Sequence, residues 1–155
     1  MIHGSHPLVP GTFLLYVDSY DNGVMTGRFY QPVTRESGIF QSMMQFLLTA
    51  ERHMDTDNIP QSFHATRAFS PFRSHLCGDD DDTLLKFGKV ATFSIHIMFR
   101  RGTTWQGSIT WLEEKQTQQF RSALELMILI DSAVTKRELF FCQPLGDTLP
   151  LQIAE

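Results

Sequence analysis

Five side chains in this sequence have the types and the alternation needed to hold a flat or charged ligand: Tyr16, Arg28, Tyr30, His96 and Arg100. All fall on one parity of segments that read as β-strands, so period two places them on a common sheet face together with Leu14, Asp18, Met98, Gln106 and Ser108. Aromatic rings beside guanidinium groups form a stacking platform of the kind used for single-stranded nucleic acid, where each stacked base contributes roughly 1–3 kcal/mol. The same composition also suits a protein interface, in which tyrosine and arginine are enriched. Interface or self-cover is the leading expectation for this face, with small-molecule or peptide binding and single-stranded nucleic acid as the alternatives.

Other chemistry-bearing residues carry weaker signals. Glu51 and Asp131 occupy equivalent places on two expected helices and would form a carboxylate pair if those helices are neighbours; solvated helix acids are the expected case. Arg100-Arg101-Gly102 falls where a hairpin turn is needed, and its guanidinium groups suit a phosphate or carboxylate contact as well as a solvated turn. His64, His75 and Cys77 invite a zinc proposal but lack a fourth ligand at suitable spacing, Cys142 being at the far end of the chain. The acidic run Asp79 to Asp82 lacks the alternating ligands of a calcium loop. No nucleophile elbow, phosphate-cradling glycine loop or HExxH is present. The expectation is a chain that is not an enzyme and carries no metal and no cofactor.

The elements that must position these residues are legible from periodicity. Residues Thr12 to Tyr20 read as a strand, Asp21-Asn22-Gly23 as a tight hairpin turn, and Val24 to Gln31 as a second strand ended by Pro32. Ser37 is the expected cap of a helix over about Gly38 to His53. Further along, Trp105, Gly107, Ile109 and Trp111 form the dry side of a strand. After Glu113-Glu114-Lys115 the period changes to that of a helix carrying Phe120, Ala123, Leu124, Met127, Ile128, Asp131 and Val134, with Thr117 as its expected cap. Leu126, Leu129 and Ile130 widen the stripe beyond that of a surface helix, which predicts a helix buried between layers or paired with another.

A shift of eighty positions superposes the two halves without a gap. Thr12-Phe13 falls on Thr92-Phe93, Gly27 on Gly107, Phe40 on Phe120, Ser42 on Ser122 and Glu51 on Asp131. The sequence therefore predicts an internal repeat, 12–54 and 92–134, within one domain over 1–155, with a connector over 55–91 and a tail over 135–155. The expected fold class is α+β: two ββα units forming a four-stranded antiparallel sheet with both helices packed on one face. Phe13, Leu15, Val17, Phe29, Phe93, Ile95, Ile97, Phe99, Ile109 and Trp111 are its expected core. In the tail, Leu139-Phe140-Phe141 suggests an edge strand or a segment lying over that core.

Composition bounds the partner. At 155 residues and a formal charge of −4, the chain has no basic excess with which to bind nucleic acid or an anionic membrane indiscriminately. Cys77 and Cys142 show no ligand spacing, and the first residues show no signal-peptide pattern, so free thiols and a cytoplasmic location are the expectation. A protein partner or self-association, as in a homodimer, ranks ahead of nucleic acid, and a membrane is not expected.

The run Phe99-Arg100, Trp105-Gln106-Gly107, Trp111, Phe120-Arg121-Ser122, Leu124-Glu125-Leu126 and Asp131-Ser132-Ala133 resembles the pattern of a widespread family of small uncharacterised bacterial proteins. The likeness covers roughly the last third of the chain. It implies a bacterial origin and a compact ββα unit, and carries no activity with it.

Overall fold

The computed structural model of the chain describes residues 9–63, 67, 69 and 87–141, the last five as backbone. His64, His75, Cys77, the run Asp79 to Asp82 and Cys142 lie outside the described residues. Two consecutive βββα units make up the described part. The first comprises β1 (Thr12–Asp21), β2 (Val24–Gln31), β3 (Glu36–Phe40) and α1 (Met43–Asp57); the second comprises β4 (Ala91–Phe99), β5 (Gln106–Trp111), β6 (Gln116–Phe120) and α2 (Ala123–Phe141). The six strands form one antiparallel sheet in the order β3-β2-β1-β4-β5-β6, so β1 and β4 meet at its centre and the two units continue one another.

The α+β class stands, and the four-stranded sheet of ββα units is corrected to six strands of βββα. The added strands are β3 and β6, which the periodicity had assigned to the starts of the helices. Both are five residues long and lie at the sheet edges. Four of the β6 residues are exposed and only Phe120 is buried, so no alternating apolar signal marks it as a strand. Ser37 and Thr117 accordingly sit in β3 and β6, and the caps are Ser42 and Ser122. The Ser42 hydroxyl accepts the Gln45 amide at 3.2 Å and the Ser122 hydroxyl accepts the Glu125 amide at 3.1 Å. Each satisfies one orphan donor of a first helical turn. Ser42→Ala and Ser122→Ala are each expected to lower the unfolding free energy by about 1 kcal/mol in urea titration. At the other end of α2, the helix runs on through Leu139-Phe140-Phe141, so that of the two expectations for this segment, an edge strand or a segment lying over the core, the strand is corrected to helix.

The offset of eighty recurs in backbone conformation, where side-chain identity is not required. Positive φ angles occur at Asn22 (49°) and Gly102 (62°), at Gly23 (77°) and Thr103 (60°), and at Arg35 (59°) and Lys115 (52°). Each pair occupies the same turn of its own unit. Both inner strands also carry an irregularity at the same place: the register slips between Val17 and Ser19 on β1 and between Ile97 and Phe99 on β4. One extra residue, Asp18 or Met98, is inserted there, and everything beyond it changes face.

The helices lie on one face of the sheet, α1 over β2 and β3 and α2 over β5 and β6. Between helices and sheet lies the core, with Phe13, Leu15, Phe29, Phe40, Phe46, Met54, Phe93, Ile95, Ile97, Phe120, Leu126 and Ile130 all fully or almost fully buried. In the first unit Phe46 is the centre of an aromatic cluster, its ring 6.1 Å from Phe13 and 5.8 Å from both Phe29 and Phe40. Nine of the ten expected core residues are buried. The tenth, Phe99, is 50% exposed because the bulge at Met98 turns it outward. Among the described residues no helix is long and apolar enough to cross a membrane.

Candidate functional site

The expected binding face divides into three parts. Tyr16 and Arg28 face one another across β1 and β2, with the guanidinium 5.2 Å from the ring centroid. Tyr30 lies on the same side of β2, opposite Leu14, and is half-buried. His96 stands opposite Thr12, four residues along β4 from Thr92, the neighbour of Tyr16, and so belongs to another row of the face. The sheet thus brings Tyr16, Arg28 and Tyr30 together and holds His96 apart.

This face is not an open platform at its centre. Tyr16 is only 6% exposed, and its neighbour Thr92 is buried as well. Burial holds the Tyr16 hydroxyl above its ordinary pKa, an effect the Arg28 charge partly offsets and Tyr30 adds to. Arg28 is engaged in a fork with Asp18, at 2.8 Å from Nε and 3.1 Å from Nη2. The end of the connector crosses here: the Lys89 amide donates to Asp18 Oδ1 at 3.2 Å and the Gly88 amide to Thr92 Oγ1 at 2.9 Å. As placed, the Tyr16 ring offers no face on which a base could stack.

Arg100 is corrected outright. It was assigned to the outer face, and it lies on the helix side, 3% exposed. The physical reason is the β4 bulge, which reverses the parity of every residue after Ile97. From there Arg100 donates to Glu51 Oε1 at 3.2 Å, Asp55 Oδ1 at 2.5 Å, the Pro60 carbonyl at 2.7 Å and the Met54 carbonyl at 3.3 Å. It is a structural clamp between the second unit's inner strand and the first unit's helix end. Trp105 joins the clamp through its indole N–H, which donates to Glu51 Oε2 at 2.5 Å.

The second unit receives the mirror of that clamp. Tyr20, eighty positions before Arg100, follows the β1 bulge and donates its hydroxyl hydrogen to Asp131 Oδ1 on α2. Glu51 and Asp131 therefore do not act as a carboxylate pair. Each serves the other unit's inner strand, and a local aromatic or guanidinium donor occupies it.

A groove of mixed character lies beside α2. Its volume is about 280 Å³, and Phe93, Ile109, Trp111, Leu129 and Ala133 form its apolar walls, with Gln116, Gln118, Ser132 and Lys136 at its polar margin. The strands explain the mixture. Gln116 and Gln118 share the inward parity of Phe120, because they stand opposite Trp111 and Ile109, and so the edge strand brings two amides to the helix side. Trp111 carries a buried indole Nε1–H with no acceptor among the described residues, and such a group costs roughly 1–3 kcal/mol relative to a bonded one.

Sequence periodicity placed Trp111 and Ile109 on the dry face and found no site there. The groove depends on β6, whose strand character no apolar alternation announces. A direct comparison of the halves would have found it, since Ala133 stands where the first unit has His53 and Ile109 stands where it has Phe29.

Among the described residues no group of three or more His, Cys, Asp or Glu side chains comes together to hold a metal ion. Compared with protein-family models, with curated proteins and with solved structures, the chain finds no match in any of the three.

Proposed function

We propose that this protein is a non-enzymatic cytoplasmic binding domain that engages another protein surface through its helix layer. The observation that carries this reading is a repeated apolar pair on the solvent side of each helix. Met44 and Leu48 on α1 are 70% and 41% exposed, and Leu124 and Ile128 on α2, at the same places in the second unit, are 63% and 58% exposed. Each pair is spaced at i, i+4 and forms a short continuous stripe. Exposed single apolar residues need no explanation, whereas the same i, i+4 pair on both helices is a patterned surface of the kind that docks on a partner. The occupied centre of the outer sheet face, with Tyr16 covered and Arg28 forked to Asp18, favours the helix layer over that face as the contact.

The test is a charge placed in the stripe. Ile128→Lys and Met44→Lys leave the core untouched, so the melting temperature should stay within a few degrees of wild type. Capture of the tagged protein's partner, or self-association read by light scattering, should fall by about tenfold or more, the effect of burying an unpaired ammonium at an interface. Undiminished capture and mass in both variants would remove the helix layer as the contact.

A further inference from the structure

We propose that the groove between β5, β6 and α2 is a binding site for a small aromatic carboxylate. The two units supply their own control. In the first unit the corresponding space is filled. His53 stands at the place of Ala133, with its Nδ1 2.5 Å from Glu36 and its ring 6.1 Å from that of Phe29, and Phe29 stands at the place of Ile109. Gly38 opposite Phe29 leaves the space that this larger ring takes. In the second unit alanine stands for histidine and isoleucine for phenylalanine, the backbone frame is retained, and Gln118 in the place of Gly38 puts an amide at the margin of the space so left. The same architecture is thus plugged on one side and open on the other.

The lining selects the class of occupant. Phe93 and Trp111 form a tilted aromatic wall, with ring centroids 6.3 Å apart and planes 35° from parallel, against which a third ring can pack. Lys136 is the one charged side chain among the described lining residues, and it is a cation. The remaining polar groups at the margin, the Gln116 and Gln118 amides and the Ser132 hydroxyl, can all donate hydrogen bonds. A volume of about 280 Å³ lies at the lower edge of the range for small-molecule pockets, which fits one ring with a short acidic arm rather than a cofactor. The inference uses none of the helix-stripe residues and stands or falls separately from the proposed protein contact.

The experiment is a titration of the full chain, labelled with ¹⁵N, with phenylacetate and with its neutral counterpart phenylacetamide. The protein has two tryptophans. Trp105 donates its indole hydrogen to Glu51 outside the groove and is the internal control, whereas Trp111 walls the groove. Phenylacetate is expected to move the Trp111 indole resonance in a saturable way and leave that of Trp105 in place. Lys136→Gln should weaken phenylacetate about threefold, the worth of an exposed ion pair, without changing the response to phenylacetamide.

The decisive variants copy the first unit into the second. Ala133→His alone, and Ile109→Phe made together with Gln118→Gly so that the ring has the space Gly38 gives Phe29, should each reduce phenylacetate binding at least tenfold, and two independent plugs guard against one of them failing to fold. Three results would overturn the proposal: no saturable movement of Trp111, equal movement of both indoles, or binding that survives in a plugged, folded variant. Equal affinity for the acid and the amide would overturn its assignment to a carboxylate.

Discussion

Gly107→Ala is expected to lower the unfolding free energy by about 3 kcal/mol, and Gly27→Ala by a similar amount, because neither strand can move aside. A Cβ built on Gly107 would overlap the carbonyl oxygen of His96 and come within 3.1 Å of the Ile97 Cα; one built on Gly27 would overlap the carbonyl oxygen of Tyr16. In both places the obstacle is backbone of an inner strand, not the movable end of a side chain. The bulges are the cause. Inserting Asp18 into β1 and Met98 into β4 bends each strand toward its partner, and the partner residue across from the bend has no room for a side chain. For a chain of this size the expected loss corresponds to a fall in melting temperature of about 6–12 °C. A variant that melted within about two degrees of wild type would mean that the inner strands are looser than the ladder registers imply.

The same bulges mark the limit of what the sequence discloses. Strict alternation assigned the inner face correctly from Phe13 to Val17 and from Phe93 to Ile97, since buried apolar residues at every second position have one consistent reading. The reading failed at Phe99 and Arg100, two and three residues past Ile97, because an inserted residue reverses parity without changing composition. A direct cue was present in Gly107 and Gly27, aligned at the offset of eighty, which are glycines inside strands and so candidates for close backbone approach. The missing third strand of each unit has a different cause. A short edge strand faces water over most of its length, and Gln116-Thr117-Gln118-Gln119 gives no hydrophobic period to detect. Losing β6 also lost the groove, for Gln116 and Gln118 reach it only as strand residues opposite Trp111 and Ile109.

The two units differ where they cross-link. Each inner strand, after its bulge, sends one side chain to an acid on the other unit's helix, but Tyr20 and Arg100 do so on different terms. Asp131 is exposed, so losing the Tyr20 hydroxyl leaves it free to be hydrated, and Tyr20→Phe is expected to cost about 1 kcal/mol.

Arg100→Met carries a larger expectation, a loss of about 3 kcal/mol in urea denaturation, even though methionine retains much of the buried stem. The guanidinium is buried and satisfies four acceptors, two of them the main-chain carbonyls of Met54 and Pro60; on its removal the Pro60 carbonyl loses this donor, while the Met54 carbonyl keeps the Ile59 amide at 3.2 Å. Glu51 is only 30% exposed on its side chain and would keep the Trp105 indole as its donor among the described residues, while Asp55 is well exposed and can be hydrated. The expectation is therefore set below the upper end of the range for breaking a buried pair, which is about 5 kcal/mol. Glu51→Gln in the Arg100→Met background should recover part of the loss, because the half-buried charge left behind is then gone. If the double variant were instead as unstable as the sum of its singles, the two residues would be independent, and the clamp between β4 and α1 would rest on Asp55 and the Met54 and Pro60 carbonyls.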